Sequence, residues 1–243
     1  MDTAPLKLAQ GASGYRYNRD SFSLADFFDP SGVNFLLDAG SGVGVVSILI
    51  GKANPAMKIA AVEINPREAA MSKANARENG LARYHAIAGD VMDCANLFNS
   101  LQFDAVVANP PYRKAGTGRL NADPVKAVAR HELRMTLGGL VKVSASILRE
   151  GGSLTLTMAW ERRDEYLALL AGNGFQEKRF RQARSFAQSP PIWFLSEATY
   201  KVETRMTEVP PLILKTSEGG DSPEFTRIIA RFMGQDPEGK RRS

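Results

Sequence analysis

The sequence has little cysteine and histidine and no long apolar run. Of its 243 residues, one is cysteine and two are histidine. A lone cysteine excludes an intramolecular disulfide, and thiols and imidazoles this scarce predict no metal site. No apolar run approaches the ~20 residues needed to cross a bilayer, and residues 1–10 lack the apolar core of a signal peptide. We therefore expect a cytoplasmic protein with neither membrane nor metal partner.

Length and charge leave more open. A chain of this length predicts one main domain, and the formal net charge of +5 would favour encounter with polyanions such as nucleic acid without requiring it. Basic residues cluster within residues 178–184, namely Lys178, Arg179, Arg181 and Arg184. Such a cluster is either a solvated face or a surface that grips RNA phosphates.

The order of apolar and helical patterns predicts the fold class. From residue 34 onward, short apolar runs alternate with helical patterns, which is typical of strand-helix units in a parallel sheet. A helix is expected over residues 66–79, capped by Asn65, and a long one over residues 124–148. Seven strands are expected, at residues 35–38, 58–63, 84–88, 103–108, 153–158, 175–183 and 192–202. The predicted fold is a Rossmann-like α/β fold, with a seven-stranded, mostly parallel sheet and helices on both faces.

The chain divides into three expected parts. An N-terminal segment covers residues 1–33, the main domain residues 34–202, and a C-terminal part residues 203–243. In the last part, Pro210-Pro211 predicts a loop, while Ser222-Pro223 opens a helix that Gly234 can close. One face of that helix is apolar and should dock on the main domain through Phe225, Ile228, Ile229 and Phe232.

A glycine-rich turn follows the first strand, with Gly40, Gly42 and Gly44 within the sequence Asp38-Ala-Gly-Ser-Gly-Val-Gly. Glycines at a strand-to-helix turn let a ligand lie against the backbone, so this is a candidate cofactor cradle. A dinucleotide fold is the rival interpretation, but Gly-x-Gly-x-x-Gly would require glycine at position 45, which is Val45.

Acidic residues stand at the ends of the first three strands, as Asp38, Glu63 and Asp90. Together with the turn they resemble the cofactor motifs of class I S-adenosylmethionine-dependent methyltransferases. The resemblance implies that Glu63 accepts the ribose hydroxyls, that Asp90 and the backbone of Val91 face the adenine, and that Asp38 lies beside the methionine ammonium. Residues expected to bind this cofactor are Asp38, Gly40, Gly42, Gly44, Glu63, Ile64, Asp90, Val91 and Asn109.

The fourth strand is followed by Asn109-Pro110-Pro111-Tyr112, which should face the cofactor from the neighbouring strand end. The Asn109 side chain and the Pro110 carbonyl can each accept one N–H of a planar amino group, so that its lone pair is turned toward a methyl donor. Tyr112 could stack on a base. We therefore predict Asn109, Pro110 and Tyr112 as catalytic, and Asn109, Pro110, Pro111, Tyr112, Arg113 and Lys114 as substrate-binding residues.

Several families share this signature, and the lengths around it help to separate them. Glutamine methyltransferases of release factors and guanine methyltransferases of ribosomal RNA usually carry a sizeable domain before the glycine turn, and DNA adenine methyltransferases add a recognition domain. The chain instead resembles bacterial valine-tRNA adenine-N6 methyltransferases over nearly its whole length. Beyond the shared core, the resemblance includes residues 14–21, Arg130-His131-Glu132 and residues 210–214. It implies tRNA as partner and an adenine beside the anticodon as acceptor, with residues 20–24 near the cofactor.

Other functions stay open at this point. A small-molecule O-methyltransferase or a protein-glutamine N-methyltransferase could use the same fold, and a non-catalytic RNA-binding module could retain it. The sequence does not decide between a monomer and a homodimer. His85 and His131 are expected to be structural, and Cys94 is expected to be a small buried apolar residue.

Overall fold

The computed structural model describes residues 6–9, 19–99, 101–110 and 135–234. Within these ranges the chain forms one eight-stranded sheet with helices on both faces. The strands are β1 (Phe35–Ala39), β2 (Lys58–Glu63), β3 (Tyr84–Ala88), β4 (Phe103–Ala108), β5 (Leu148–Ala159), β6 (Phe175–Arg184), β7 (Pro191–Tyr200) and β8 (Thr207–Ile213). The helices are α1 (Arg19–Phe27), α2 (Val45–Ala53), α3 (Pro66–Glu78), α4 (Cys94–Leu97), α5 (Leu137–Ile147), α6 (Arg163–Gly172) and α7 (Pro223–Met233).

The order of strands across the sheet is β3-β2-β1-β4-β5-β7-β6-β8. β7 runs antiparallel to both of its neighbours, and the remaining pairs are parallel. The chain winds outward from β1 to β3 and then resumes at β4 on the other side of β1, where Asp38 pairs with Val107. This confirms the expected α/β fold and places the ends of β1 and β4 together, at the point where such sheets bind ligands.

Two apolar cores lie on opposite faces of the sheet. On one face α1, α2 and α7 pack through residues such as Leu24, Ile48 and Phe225, which are fully buried. On the other face α4, α5 and α6 pack, and Cys94 is buried there as a small apolar residue, as expected. Among the described residues, no helix has the length and apolar character of a membrane span.

The prediction of seven strands is wrong, because residues around Pro210-Pro211 form β8 rather than a loop. β8 lies at the edge of the sheet beside β6. Proline lacks the N–H that a central strand needs, but an edge strand can leave that side unpaired. Accordingly, the register shifts at the prolines, from Arg181 paired with Val209 to Ala183 paired with Leu212.

The long helix expected over residues 124–148 is also wrong in its described part. The helix α5 begins at Leu137, and Thr136 caps it by accepting a hydrogen bond from the Gly139 N–H at 3.0 Å. A residue with extended backbone that caps a helix cannot lie inside one. Residues 124–134 are outside the described ranges.

The C-terminal helix is confirmed as α7. Ser222 caps its start by accepting from the Phe225 N–H, and Gly234 closes it in the left-handed conformation with φ 65°. Phe225 and Phe232 are buried against the main domain. The division into residues 1–33, 34–202 and 203–243 stays a prediction.

Candidate active site

The glycine turn lies between β1 and α2, and its three glycines have positive φ angles of 74°, 54° and 86° at Gly40, Gly42 and Gly44. L-residues with side chains rarely adopt this conformation, so the turn requires glycine. The N–H groups of Gly40 and Ser41 both donate to the Val62 carbonyl, at 2.9 and 3.1 Å. The turn is therefore fixed to the carboxyl end of β2.

Glu63, the last residue of β2, is buried beside this turn. Its Oε2 accepts a hydrogen bond from the Gly42 N–H at 2.9 Å, and its Oε1 accepts one from the Asn65 N–H at 2.8 Å. Each carboxylate oxygen can accept more than one hydrogen bond. Glu63 can therefore hold the turn and still accept hydrogen bonds from the hydroxyl groups of a ligand. Ile64, the next residue, is half-buried.

Asp38, in β1, begins a buried chain of hydrogen bonds under the turn. The Ser47 hydroxyl in α2 donates to Asp38 Oδ2 at 2.5 Å and lies 3.0 Å from the Tyr84 hydroxyl, which in turn lies 2.7 Å from Ser72 Oγ. Gly44 rests on this chain, since a Cβ there would come 2.5 Å from Ser72 Oγ and 2.6 Å from the Tyr84 hydroxyl. Side chains from α2, α3 and β3 thus fix the Asp38 carboxyl.

Burial changes the acidity of two groups in this chain. It raises the pKa of Asp38 to about 7, an effect that the nearby Glu63 charge adds to and the hydrogen bonds from Ser47 oppose. Burial also raises the pKa of the Tyr84 hydroxyl above its ordinary value. A carboxyl group held this far from water becomes a strong partner for a cation that enters beside it.

Asp90 follows β3 and begins a short 3₁₀ helix at Val91–Asp93. Its Oδ1 accepts from the Met92 N–H at 2.9 Å, while Val91 is buried. The Gly89 N–H donates to the Glu63 carbonyl at 3.0 Å, which joins the ends of β2 and β3. Asp90 therefore caps the short helix at the same sheet edge as Glu63.

Asn109 directly follows β4 and is half-buried, with Pro110 buried after it. The Asn109 Nδ2 donates to the Ser21 hydroxyl of α1 at 3.1 Å. This bond fixes the orientation of the amide group, and its Oδ1 atom is the acceptor. The other residues of the expected substrate site, Pro111, Tyr112, Arg113 and Lys114, lie outside the described ranges, as does His131.

The described residues fit a nucleoside with an attached amino acid, such as S-adenosylmethionine. The Ser41 hydroxyl in the turn is buried and has no hydrogen-bond partner among the described residues, so a ligand could supply one. The carboxyl groups of Asp38 and Glu63 can meet an ammonium and hydroxyls. The Met135 side chain covers Gly40, where a Cβ would come 2.9 Å from its terminal carbon. No group of three or more His, Cys, Asp or Glu that could hold a metal occurs within the described ranges.

Most cations of the basic cluster of residues 178–184 are held in ion pairs. Lys178 pairs with Glu197 at 2.9 Å, and Arg179 pairs with the same carboxylate, which is 4% exposed. Arg181 pairs with Glu224 in α7. Three of the four cations thus pair with acids on β7 and α7, which favours a structural role for them over contact with RNA phosphates.

The fold and the site define a class I S-adenosylmethionine-dependent methyltransferase. The model of the methyltransferase small domain family matches residues 19–190. The chain belongs to this family, and S-adenosylmethionine is its cofactor.

Curated relatives match most of the chain, and a solved structure shares its fold. The chain is 28% identical over 213 residues to a Porphyromonas gingivalis tRNA1(Val) (adenine(37)-N6)-methyltransferase, covering 84% of this chain and 82% of the relative. It is 24% identical to a protein of the same name from Tolumonas auensis, covering 92% of both. In fold it is similar to a protein described as a predicted O-methyltransferase from Agrobacterium tumefaciens, with a TM-score of 0.69, 18% identity and coverage of 87% and 96%.

Several residues of this site were not predicted as functional from the sequence, among them Ser47, Ser72, Tyr84 and Met135. Ser47 of α2 donates to Asp38, Tyr84 of β3 holds Ser47, and Met135 covers Gly40. Ser47 could have been noticed as a lone hydroxyl in an otherwise apolar helix. The sequence carries no comparable signal for Tyr84 or Met135, because their contacts depend on how separate elements pack.

Proposed function

We propose that the chain transfers a methyl group from S-adenosylmethionine to the N6 amino group of an adenine beside the anticodon of a valine-type tRNA. The observation that carries this proposal is the position of Asn109, at the end of β4 and beside the glycine turn after β1, with its amide oriented by Ser21. The names of relatives that match most of both chains support the tRNA substrate. With tRNA as its substrate, the proposed enzyme would act in the cytoplasm.

The cofactor half of the site would bind through groups on three strand ends. Glu63 would accept the ribose hydroxyls with the oxygens that already hold Gly42 and Asn65. Asp90 and the Val91 backbone would face the adenine edge of the cofactor. Asp38, buried and fixed by Ser47, would face the ammonium group.

The acceptor half would position the target nitrogen. Asn109 Oδ1 and the Pro110 carbonyl would each accept one N–H, which turns the nitrogen lone pair out of the plane of the base. Tyr112 would stack on the base, with Arg113 and Lys114 beside it. Bound S-adenosylmethionine would supply an electrophilic methyl group and would be left as S-adenosylhomocysteine. The nitrogen loses its proton to water once it has become cationic, so Asn109 need only hold it and not act as a base.

The direct test is methylation of an unmodified tRNA transcript, read as N6-methyladenosine by nucleoside mass spectrometry. We expect Asn109→Ala to lower kcat about 100-fold or more, because an acceptor that positions the reacting group is lost, while the Kd for S-adenosylmethionine changes little. Asn54→Ala is the matched control, since Asn54 follows the last residue of α2, on the side of the sheet where the parallel strands begin. A rate within a few-fold of wild type for Asn109→Ala would exclude the mechanism. Transfer to phenols or to glutamine in proteins, but not to RNA, would exclude the substrate.

A further inference from the structure

A cavity of about 660 Å³ opens where β6 and β8 end, between the β6–β7 connection and the start of α7. Its lining is largely apolar with a polar rim, and the residues that matter below are Phe186, Gln188, Lys215, Thr216, Glu224 and Arg227. Nothing in the proposed chemistry at Asn109 uses this cavity.

The cavity lies on the same side of the sheet as the methyl-transfer site, where the parallel strands have their carboxyl ends. β6 and β8 run in the same direction as β1 and β4, so their carboxyl ends face the same side. Four strand spacings separate β4 from β8, which amounts to about 19 Å. A single substrate can therefore reach both places.

The start of α1 joins the two places physically. Ser21 accepts the hydrogen bond from Asn109, while two residues earlier Arg19 donates to the Leu214 carbonyl at 3.3 Å, next to Lys215. Arg19 also pairs with Asp221 and lies over the Phe225 ring of α7. The rim from Asn109 to Lys215 is thus continuous and held by direct contacts.

The charge of the cavity favours an anion. Its acid Glu224 is neutralised by Arg181, and the neighbouring Asp221 is neutralised by Arg19. Lys215 and Arg227 line the cavity, and neither has an ion-pair partner among the described residues. Arg227 is exposed and donates to the Pro223 carbonyl at 3.3 Å, and Lys215 is half-buried. Two cations without ion pairs therefore stand beside acids whose charge is already balanced.

An aromatic ring stands at the same opening. Phe186, in the β6–β7 connection, lines the cavity and is 39% exposed. Exposed aromatic rings beside cations are the usual platform for unpaired bases, since every base can stack on a ring while its phosphates meet the cations. The hydroxyl of Thr216 and the amide of Gln188 could add hydrogen bonds.

We propose that this cavity is a second RNA contact, in which an unpaired nucleotide near the target adenine stacks on Phe186 and its phosphates meet Lys215 and Arg227. The inference rests on the proposed tRNA substrate and extends it from the acceptor base to its neighbours. Charge balance distinguishes RNA from an apolar peptide, which would need no free cations at the rim.

The experiment measures KM and kcat for tRNA with matched pairs of variants. Phe186→Ala is compared with Leu167→Ala, which removes an equally exposed apolar side chain from α6. Lys215→Glu/Arg227→Glu is compared with Lys58→Glu/Arg83→Glu, which makes the same charge change at the opposite sheet edge. We expect Phe186→Ala to raise KM about tenfold and the cavity pair to raise it at least as much. The cavity pair should also reduce the slope of log KM against log salt concentration by about two.

The experiment has two control measurements and two contrary outcomes. The Kd for S-adenosylmethionine and the unfolding midpoint should stay at wild-type values in all four variants, which shows that they fold. If the wild-type protein methylates tRNA but the cavity variants have the same KM as their controls, the cavity does not contact RNA and only this inference falls. If the wild-type protein methylates no tRNA, the proposed function falls and the inference with it.

Discussion

The two ends of the sheet handle their polar groups differently. Around β1 to β3, buried carboxyls are held by backbone N–H groups and hydroxyls, as in Glu63 with Gly42 and Asp38 with Ser47. Around β6 to β8, polar groups are held by ion pairs such as those of Glu197 and Glu224, and further cations remain at the rim. The first arrangement places negative charge beside the glycine turn and suits a small cationic cofactor. The second presents positive charge and suits a large polyanion.

Substitution of Gly44 tests the packing under the glycine turn. Gly44→Ala combines a φ of 86° with a Cβ that would overlap Ser72 and Tyr84, so we expect it to lower the free energy of unfolding by about 3 kcal/mol and to weaken cofactor binding. Gly219→Ala is the matched control at the other end, because its φ is 88° but its Cβ would meet nothing within 4 Å. It should cost only about 1 kcal/mol. Urea denaturation measures both, and equal losses would show that packing under the turn is unimportant.

The ion pairs of the other end can be broken at Arg179. It pairs with Glu197, donates to the Phe27 carbonyl at 2.7 Å and lies over the Phe27 ring. We expect Arg179→Ala to lower the free energy of unfolding by about 2 kcal/mol, since it leaves a buried carboxylate with one partner fewer. Its KM for tRNA should stay within twofold of wild type.

Lys215→Ala is the counterpart of Arg179→Ala. It should change stability by less than about 0.5 kcal/mol, because Lys215 has no ion pair among the described residues, but it should raise the KM for tRNA. If Arg179→Ala instead raised the KM for tRNA and left the stability unchanged, residues 178–184 would contact RNA.

The last prediction concerns the pH dependence of cofactor binding. The pKa of Asp38 is raised to about 7 by burial, so its carboxyl is protonated below that pH and ionised above it. An ammonium group binds the ionised form more tightly, and affinity for S-adenosylmethionine should therefore be about tenfold weaker at pH 6 than at pH 8. Calorimetry at both values measures this ratio. Asp38→Asn should remove the dependence, and a ratio unchanged by that variant would assign it to another group.

The common location of the candidate cofactor residues could be predicted from the sequence. Glu63 ends a strand, the glycine turn, Asp90 and Asn109 each follow one, and the carboxyl ends of parallel strands meet on one side of a sheet. Their common location follows from local patterns alone. The chain of hydrogen bonds through Ser47 and Tyr84 does not, because it depends on how α2, α3 and β3 pack.

The other end could not be predicted in the same way. Pro210-Pro211 indicates a loop unless the strand lies at a sheet edge, and edge position is a property of the whole sheet. The pairing of Arg179 with Glu197 follows from the register between β6 and β7, which places these two residues opposite each other. A run of basic residues in a sequence therefore does not reveal whether the charges face solvent or acids.

The proposed function is tested most directly by the modification of tRNA in cells that carry or lack this gene. The account predicts N6-methyladenosine beside the anticodon of valine tRNA in the first and unmodified adenine in the second, with restoration by the wild-type chain but not by Asn109→Ala. The same adenine methylated to the same extent in both would contradict it.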